Sequence, residues 1–580
     1  MKKLITLFMW GYQQHFVHSL ESLAQKVFAE LGLSLQSDVL LVGLLKPGLE
    51  KKHPVCIEPE EKKWPLDIFS NLTLRFCEIE ATHPLQNIFY GDALSMADKP
   101  ENMRRSSASM AVREALAPFD KANGVHSFCG SAQPVGEYYV VPVLQVPNAV
   151  FEKFPPLSLP ETERDFTPKG NHSLIHSTIA VLLDEASEYL LLPDPGRNLL
   201  FDMRNASDMA REAAERFLRI PNYLTGTFGY SATDLFQRLN VVSSLFYEGR
   251  ESLGSIVLAK PDSDFIDYAV RFRTPVPLNQ PRWARKILQM ASERFALVCS
   301  DGKIYGLGNI KEDHDPDSLD AFTVVFLDHY QWELRVGPRV LMYSRFREPK
   351  LPQASVEKAQ FVSNYLRLFK RASEADAERA WALFEASSIL QHGAMLVISE
   401  DATTEAERLK DQGTAIEPVT MTSDLLHRVS GIDGSILLDP AGQCFAIGVI
   451  LDGIATTDSS PARGSRYNSA LRYVGGAPVA RLAIVVSEDR TVDLVPLLRP
   501  QISKHELEER IRAFEKASTD DYHADQSWLN ARRFYIREPE AKRINSVLAA
   551  LNALPREVGE IRYLVEPFQA SSDADESYFF

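Results

Sequence analysis

The apolar positions of this chain change period several times along its length, and those changes mark out its elements. Between Leu20 and Leu33 they recur at helical spacing, whereas Val39 to Leu45 and Tyr138 to Val146 are continuous apolar runs of strand length. Residues 1–152 therefore read as an α/β block. Lys153 to Asn171 holds Pro155, Pro156, Pro160 and Pro168 among charged residues, a composition that disfavours regular structure and predicts a linker. Residues 172–345 mix strands, at Thr178 to Leu183, Ser255 to Ala259 and Ala296 to Cys299, with helices. The clearest helix is Ser207 to Ile220, opened near Ser207-Asp208 and closed by Pro221, with Met209, Ala213, Phe217 and Ile220 as its core stripe. A second boundary falls at Arg347 to Pro352. Helical periodicity follows over Ser355 to Ala372 and Ala375 to Leu390. Near the end, Ser503 and Glu506 form a capping box opening a helix to about Ala517, and Glu540 to Leu551 is another helix. The acidic stretch Ala570 to Phe580 reads as frayed.

Between these helices, Gly431 to Glu488 has the layout of a nucleotide site. Ser435 to Leu438 and Cys444 to Leu451 are apolar runs separated by Asp439-Pro440-Ala441-Gly442, whose Pro and Gly favour a tight reversal, so they predict a hairpin. Asp433-Gly434 stands just before the first strand, where a carboxylate is exposed at a sheet edge beside a residue that permits close backbone approach; Asp433 is a candidate ligand for a divalent cation. Farther on, Ser465 is a candidate N-cap and Gly475-Gly476 a candidate C-cap, predicting a short helix from about Arg466. A helix start offers free N–H groups and positive dipole to an anion, and Arg463 and Arg466 flank it; the ligand this suggests is a phosphate chain. The same residues also suit an ordinary capped surface helix.

The order of these pieces resembles the diadenylate cyclase domain of the DNA-integrity-scanning protein and its relatives. That family carries an Asp-Gly-Ala motif and then a Gly-Thr-Arg-His-Arg-Ala-Ala-like motif. Here they stand as Asp433-Gly434-Ser435 and Gly464-Ser465-Arg466-Tyr467-Asn468-Ser469-Ala470, with Gly393 to Ile398 upstream and Val485 to Glu488 downstream as further matches. The resemblance covers about residues 380 to 500. The chain is also similar to larger cyclase-like proteins in which such a domain follows a long sensor region.

The resemblance implies a multidomain α/β protein with a cyclase-like mixed β-sheet flanked by helices at 355–500. Sensor-like α/β domains at 1–152 and 172–345 precede it, and a helical extension with an acidic tail, 501–580, follows. It further implies that two ATP molecules react in two facing domains of a homo-oligomer, giving cyclic di-AMP and pyrophosphate. Asp433, helped by Glu488, would hold Mg2+ or Mn2+, and Arg466 with the helix start at Ser465 would orient phosphates. Gly434 and Ser435 would give close backbone approach. Arg463, Gly464, Tyr467, Asn468 and Ser487 would complete the nucleotide contacts. One departure bears on catalysis: the family's Arg-His-Arg is Arg466-Tyr467-Asn468, so a cation and an imidazole are missing. The alternatives are a nucleotide-binding sensor without catalysis and an interaction protein that keeps only the fold.

Composition changes this picture little. At 580 residues with 45% hydrophobic and 10% aromatic content the chain can bury several cores. A formal charge of −15 argues against a surface that coats nucleic acid, although it allows a local basic pocket. Cys56, Cys77, Cys129, Cys299 and Cys444 are odd in number and scattered, which predicts neither a disulfide framework nor a structural zinc site and fits a reducing cytoplasm. No apolar run reaches the ~18–20 residues of a membrane span. GVHSFCG holds Cys129 in what reads as a loop, as a packed rather than reactive thiol. His172 and His176 have the spacing of helical metal ligands, but Ser177 to Leu183 reads as strand, which separates them. What the first 345 residues sense is an unidentified ligand.

Overall fold

The computed structural model describes residues 9–33, 35, 37–50, 53–59, 64–159, 172–197, 203–226, 234–246, 253–292, 294–352, 356, 358–388, 390, 393–453, 465–475, 477–487, 492–496, 499–517, 522–554, 565–571 and 574–580. They belong to two compact units, Met1–Pro352 and Gln353–Phe580.

The N-terminal unit begins with α1 (Gln13–Glu30), β1 (Asp38–Leu45) and β2 (Val55–Glu58). Next come α2 (Leu72–Ala81), the long α3 (Ala93–Asn123), β3 (Val125–Cys129), β4 (Gln133–Val135) and β5 (Tyr138–Pro147). The strands form a sheet in the order β2-β1-β5-β3, with β4 also on β5. Both faces of β1 are covered: Val39 and Leu41 enter one core with Phe16, Leu20 and Val27 of α1, while Leu40, Val42 and Leu44 enter another with Phe76 and Val112. A strand buried on both sides has no polar alternation, which is why it reads as one apolar run.

After α4 (Asn148–Lys153) come α5 (Leu174–Tyr189), α6 (Ala206–Leu224) and α7 (Leu235–Ser244). A second, eight-stranded sheet is built from β6 (Gly254–Ala259), β7 (Ile266–Pro277), β8 (Ala296–Ser300) and β9 (Lys303–Ile310), then β10 (Ala321–Asp328), β11 (Gln331–Val336), β12 (Arg339–Arg345) and β13 (Glu348–Lys350). Helix α8 (Pro281–Leu288) lies between β7 and β8 in the chain.

Two expectations for the segments that form α5 and α6 are corrected. Thr178 to Leu183 is not a strand but part of α5, capped by the Ser173 hydroxyl, which accepts from the His176 N–H. The helix is buried on nearly every side, at Ile175, Ile179, Val181, Leu182 and Leu183, so its apolar run carries no 3.6-residue signal. Pro221 does not close α6. The helix is capped by Asn205 and runs to Leu224, with Thr225 N–H donating to the Pro221 carbonyl at 3.0 Å. A proline in the last turn removes one donor without stopping the chain.

His176 lies in an aromatic cluster, its ring centroid 4.8 Å from Phe151, 5.6 Å from Phe128 and 6.3 Å from His172. Its Nδ1 lies 2.9 Å from the Ser173 hydroxyl. Burial, with His172 and His126 as positive neighbours, pushes the imidazole down to about 4. The unfolded chain therefore takes up this proton at a higher pH than the folded one, and stability is lost as pH falls from about 6.5 towards 4. The melting temperature of the N-terminal unit should drop across that window by less in His176→Phe than in the natural protein, read by fluorescence-detected melting at a series of pH values.

The C-terminal unit opens with α9 (Lys358–Leu368) and α10 (Glu374–Ser388), then β14 (Ala394–Ser399), α11 (Ala402–Arg408), β15 (Thr414–Thr420) and α12 (Ser423–Val429). The predicted hairpin is β16 (Ser435–Leu438) and β17 (Gln443–Val449), its turn held by the Asp439 carboxylate, which accepts from the Ala441 and Gln443 N–H groups. Helix α13 (Ser465–Gly475), β18 (Arg481–Val486) and β19 (Val492–Val495) complete a mixed sheet of order β15-β17-β16-β14-β18-β19. Only β14 and β16 are parallel within it, among the described residues. Successive side chains of β14 point to opposite faces. Leu396 and Ile398 meet Phe361, Trp381 and Phe384 of α9 and α10, and Met395 and Val397 meet Ala402, Ala406, Ala470 and Tyr473 of α11 and α13.

Helices α14 (Lys504–Lys516), α15 (Tyr522–Ala531) and α16 (Glu538–Ala553) belong to the extension. Ser503 caps α14 by accepting from Glu506 N–H, the backbone half of the predicted capping box. The last residues are not frayed. Phe580 N–H donates to Ile502 carbonyl and Lys504 N–H to Phe580 carbonyl, at 3.2 and 3.0 Å, while Arg537 and Lys504 pair with Glu576 at 2.7 and 3.0 Å. Acidic composition concealed this because the anchoring is made by main chain and by cations far back in the sequence.

Candidate functional site

The register of the third sheet brings the resemblance-bearing stretches to one end. Met395 pairs with Ser435, Ala394 with Val486 and Ser435 with Val449. Gly393, Asp433-Gly434, Ser487 and Gly448 therefore all stand at the same edge. Gly434 has φ +111° and Gly448 φ +62°, both left-handed. A Cβ on Gly434 would come 2.5 Å from the Gly448 carbonyl carbon and 2.9 Å from Val449 N, so the two strands touch main chain to main chain.

Across this edge lies Arg466, in the first turn of α13. Its Nη2 is 3.5 Å from the Asp433 Oδ1, and the Asp433 side chain is 97% exposed while that of Arg466 is 33% exposed. The guanidinium rests on Gly393, where a Cβ would come 2.4 Å from Nη1 and 3.3 Å from the Val486 carbonyl. The carboxylate and the cation singled out in the sequence are thus neighbours, one turned fully to solvent and the other lying over glycine backbone.

The remaining candidates are placed unequally. Ser435 is buried on β16 and its hydroxyl donates to the Val449 carbonyl at 3.0 Å. Ser465 is exposed and is the first helical residue rather than the cap. Tyr467 packs, half-buried, on the core that holds Met395 and Tyr473; Asn468 is half-buried beside it. Ser487 is half-buried just past β18. Arg463, Gly464 and Glu488 lie outside the described residues.

Asp433 is the described carboxylate available to a hard cation at this edge, and an oxygen ligand completed by phosphate oxygens suits Mg2+ or Mn2+. Among the described residues no group of three or more His, Cys, Asp or Glu is arranged to hold a metal by itself.

Sequence reasoning missed what stands behind α13. Tyr473 hydroxyl donates to Glu405 at 2.6 Å, and Arg481 stacks 4.2 Å over the Tyr473 ring. The Arg408 hydrogen bond, then Tyr473 and Arg481, hold the Glu405 carboxyl below the usual range, while burial and Glu405 push the Tyr473 hydroxyl up. These residues belong to no short motif, and α11 and α13 are polar enough that a Glu, an Arg or a Tyr in them does not stand out.

Cys129 lies on β3, not in a loop, and burial pushes its thiol up to about 12. It is a packed thiol with little nucleophilic character at neutral pH. Among the described residues no helix is long and apolar enough to cross a membrane.

Residues 9–218 match the domain family described as "Probable sensor domain DACNG", and residues 233–337 match "Probable sensor domain DACNH". No curated protein matches the chain. Among solved structures it is similar to a double mutant of DacA from Staphylococcus aureus, at 18% identity and a TM-score of 0.19, covering 25% of this chain and 97% of that one. It is also similar to a hypothetical membrane-spanning protein from Bacillus cereus, at 20% identity and a TM-score of 0.17, covering 20% of this chain and 58% of that one. Two sensor-type domains thus account for much of the N-terminal unit, and the edge that holds Asp433 and Arg466 lies outside both matched regions.

Proposed function

We propose that this chain is a diadenylate cyclase under the control of its N-terminal sensor domains, 1–152 and 172–345, acting from residues 355–500. The observation that carries the reading is the 3.5 Å approach of Arg466 to Asp433 at an edge lined by glycine main chain. Arg466 and the first turn of α13 bind phosphate oxygens, with Arg463 and Gly464 as further candidate contacts, and Gly434 lets the nucleotide lie against backbone. Asp433, with Glu488 as a second candidate, would hold Mg2+ or Mn2+, which would neutralise phosphate charge and favour ionisation of the attacking hydroxyl. The 3′-oxygen of one ATP forms a bond to the α-phosphorus of the other, and the bond to pyrophosphate breaks. Repeating this in the opposite sense closes cyclic di-AMP and releases a second pyrophosphate. Each nucleophile comes from the facing subunit, so the active form is a homo-oligomer, and its use of ATP fits a cytoplasmic location.

A second reading, a nucleotide-binding sensor without catalysis, is favoured by Tyr467 and Asn468. Tyr467 packs on the core, and neither residue supplies a fixed positive charge to phosphate. Purified protein incubated with ATP or GTP and Mg2+ or Mn2+ decides between them by mass spectrometry. Cyclic dinucleotide supports the cyclase; saturable ATP binding without product supports the sensor; neither binding nor product defeats both.

A further inference from the structure

Glu405, on α11, is 5% exposed, and Arg481, the first residue of β18, is 7% exposed. Glu405 Oε2 accepts the Tyr473 hydroxyl at 2.6 Å and lies 3.2 Å from Arg481 Nη2, and each Glu405 oxygen accepts from Arg408 at 2.8 Å. Arg481 also donates to the Tyr473 carbonyl at 3.3 Å, to Asp401 at 2.9 Å and to the Ser399 hydroxyl at 3.1 Å. Arg408 continues outward to both oxygens of Asp452, at 2.6 and 2.7 Å.

This set grips the phosphate-facing module from two sides. Tyr473 is in the last turn of α13, and Asp452 stands where the chain leaves β17 on its way to that helix. Gly453 lies so near α13 that a Cβ would come 2.6 Å from the Arg472 carbonyl carbon. One buried carboxylate therefore ties together, through Arg408 and through Tyr473 with Arg481, the chain entering the module and the far end of its helix. From Arg466 to Tyr473 the helix spans about 10 Å, short enough to move as a rod. A shift of its last turn passes directly to Arg466.

We propose that Glu405 is a positioning residue for the nucleotide site, setting the axial position of α13 and with it the reach of Arg466 towards Asp433 and a bound triphosphate. The inference rests on the nucleotide reading given above. Glu405→Gln keeps the shape but turns an amide towards guanidinium groups, whereas Glu405→Asp keeps the charge and draws it back by one methylene.

The test uses the full chain, with MgATP as the probe in calorimetric titration. Glu405→Gln and Tyr473→Phe should weaken MgATP binding about 5- to 20-fold, with Glu405→Asp recovering part of the loss. In an Arg466→Ala background, Glu405→Gln should change binding by less than about twofold, because its effect runs through Arg466. An equal loss in both backgrounds would mean general structural support and would overturn the proposal, as would unchanged binding in the single variant. Hydrogen exchange gives a reading independent of nucleotide: amides of 465–475 should exchange faster in Glu405→Gln while those of 394–399 keep their protection. Should the natural protein fail to bind MgATP, the nucleotide reading falls, and exchange alone judges the positioning role; unchanged protection in α13 then overturns it. If Glu405→Gln does not fold, the same measurements are read on Tyr473→Phe.

Discussion

Replacing Gly434 by alanine is expected to lower the melting temperature of the C-terminal unit by roughly 6–12 °C, the equivalent of about 3 kcal/mol in a unit of this size. Two effects act together. At φ +111° an L side chain is strained, and its Cβ would sit 2.5 to 2.9 Å from three main-chain atoms of Gly448 and Val449. Backbone cannot rotate aside as a side chain does, so β16 and β17 must separate where Ser435 pairs with Val449. Gly431→Ala is the control, since a Cβ there meets nothing within 4 Å and it should melt within about 1 °C of the natural protein. Differential scanning fluorimetry of both variants makes the comparison; equal melting temperatures would refute the close approach.

Arg466→Ala should behave in the opposite manner, with a small effect on melting and a large one on ligand. Its pairing with the exposed Asp433 contributes at most about 1 kcal/mol to folding. A charge-assisted contact to phosphate is worth about 1.5–3 kcal/mol, so MgATP affinity should fall roughly 10- to 150-fold, and dinucleotide production with it. Titration calorimetry gives the first quantity and mass spectrometry the second. Arg466→Lys should recover only part of the affinity, because an ammonium is a point charge without the planar fork. An alanine variant that bound MgATP as the natural protein does would remove Arg466 from the site.

The meeting of Asp433 with Arg466 was legible because each belongs to a short motif whose residues stand beside a strand or helix start, and the order of the motifs carried their separation. The apolar runs of β1, β5 and β16 were legible too, since strands buried on both faces leave an unbroken signature. Helix α5 misled for the same reason, an apolar run buried on nearly all sides having the appearance of a strand. The set around Glu405 left no local trace. Its links to Tyr473 and from Arg481 to Ser399 join residues 68 and 82 apart, and only the folded sheet brings them together. The anchored tail was hidden likewise, because Phe580 is held by main-chain bonds around Ile502 that composition does not reveal.

The parallel pairing of β14 with β16, followed by the closing of β18 on the other side of β14, also governs when the site comes into being. As the ribosome delivers this chain, Ala394–Ser399 emerges long before Arg481–Val486, its neighbour on that flank. Until that late strand arrives, an apolar segment stays open to wrong partners, the situation in which nascent chains engage chaperones. The edge carrying Asp433 and Arg466 therefore lacks one of its flanking strands until residues 481–486 have been made.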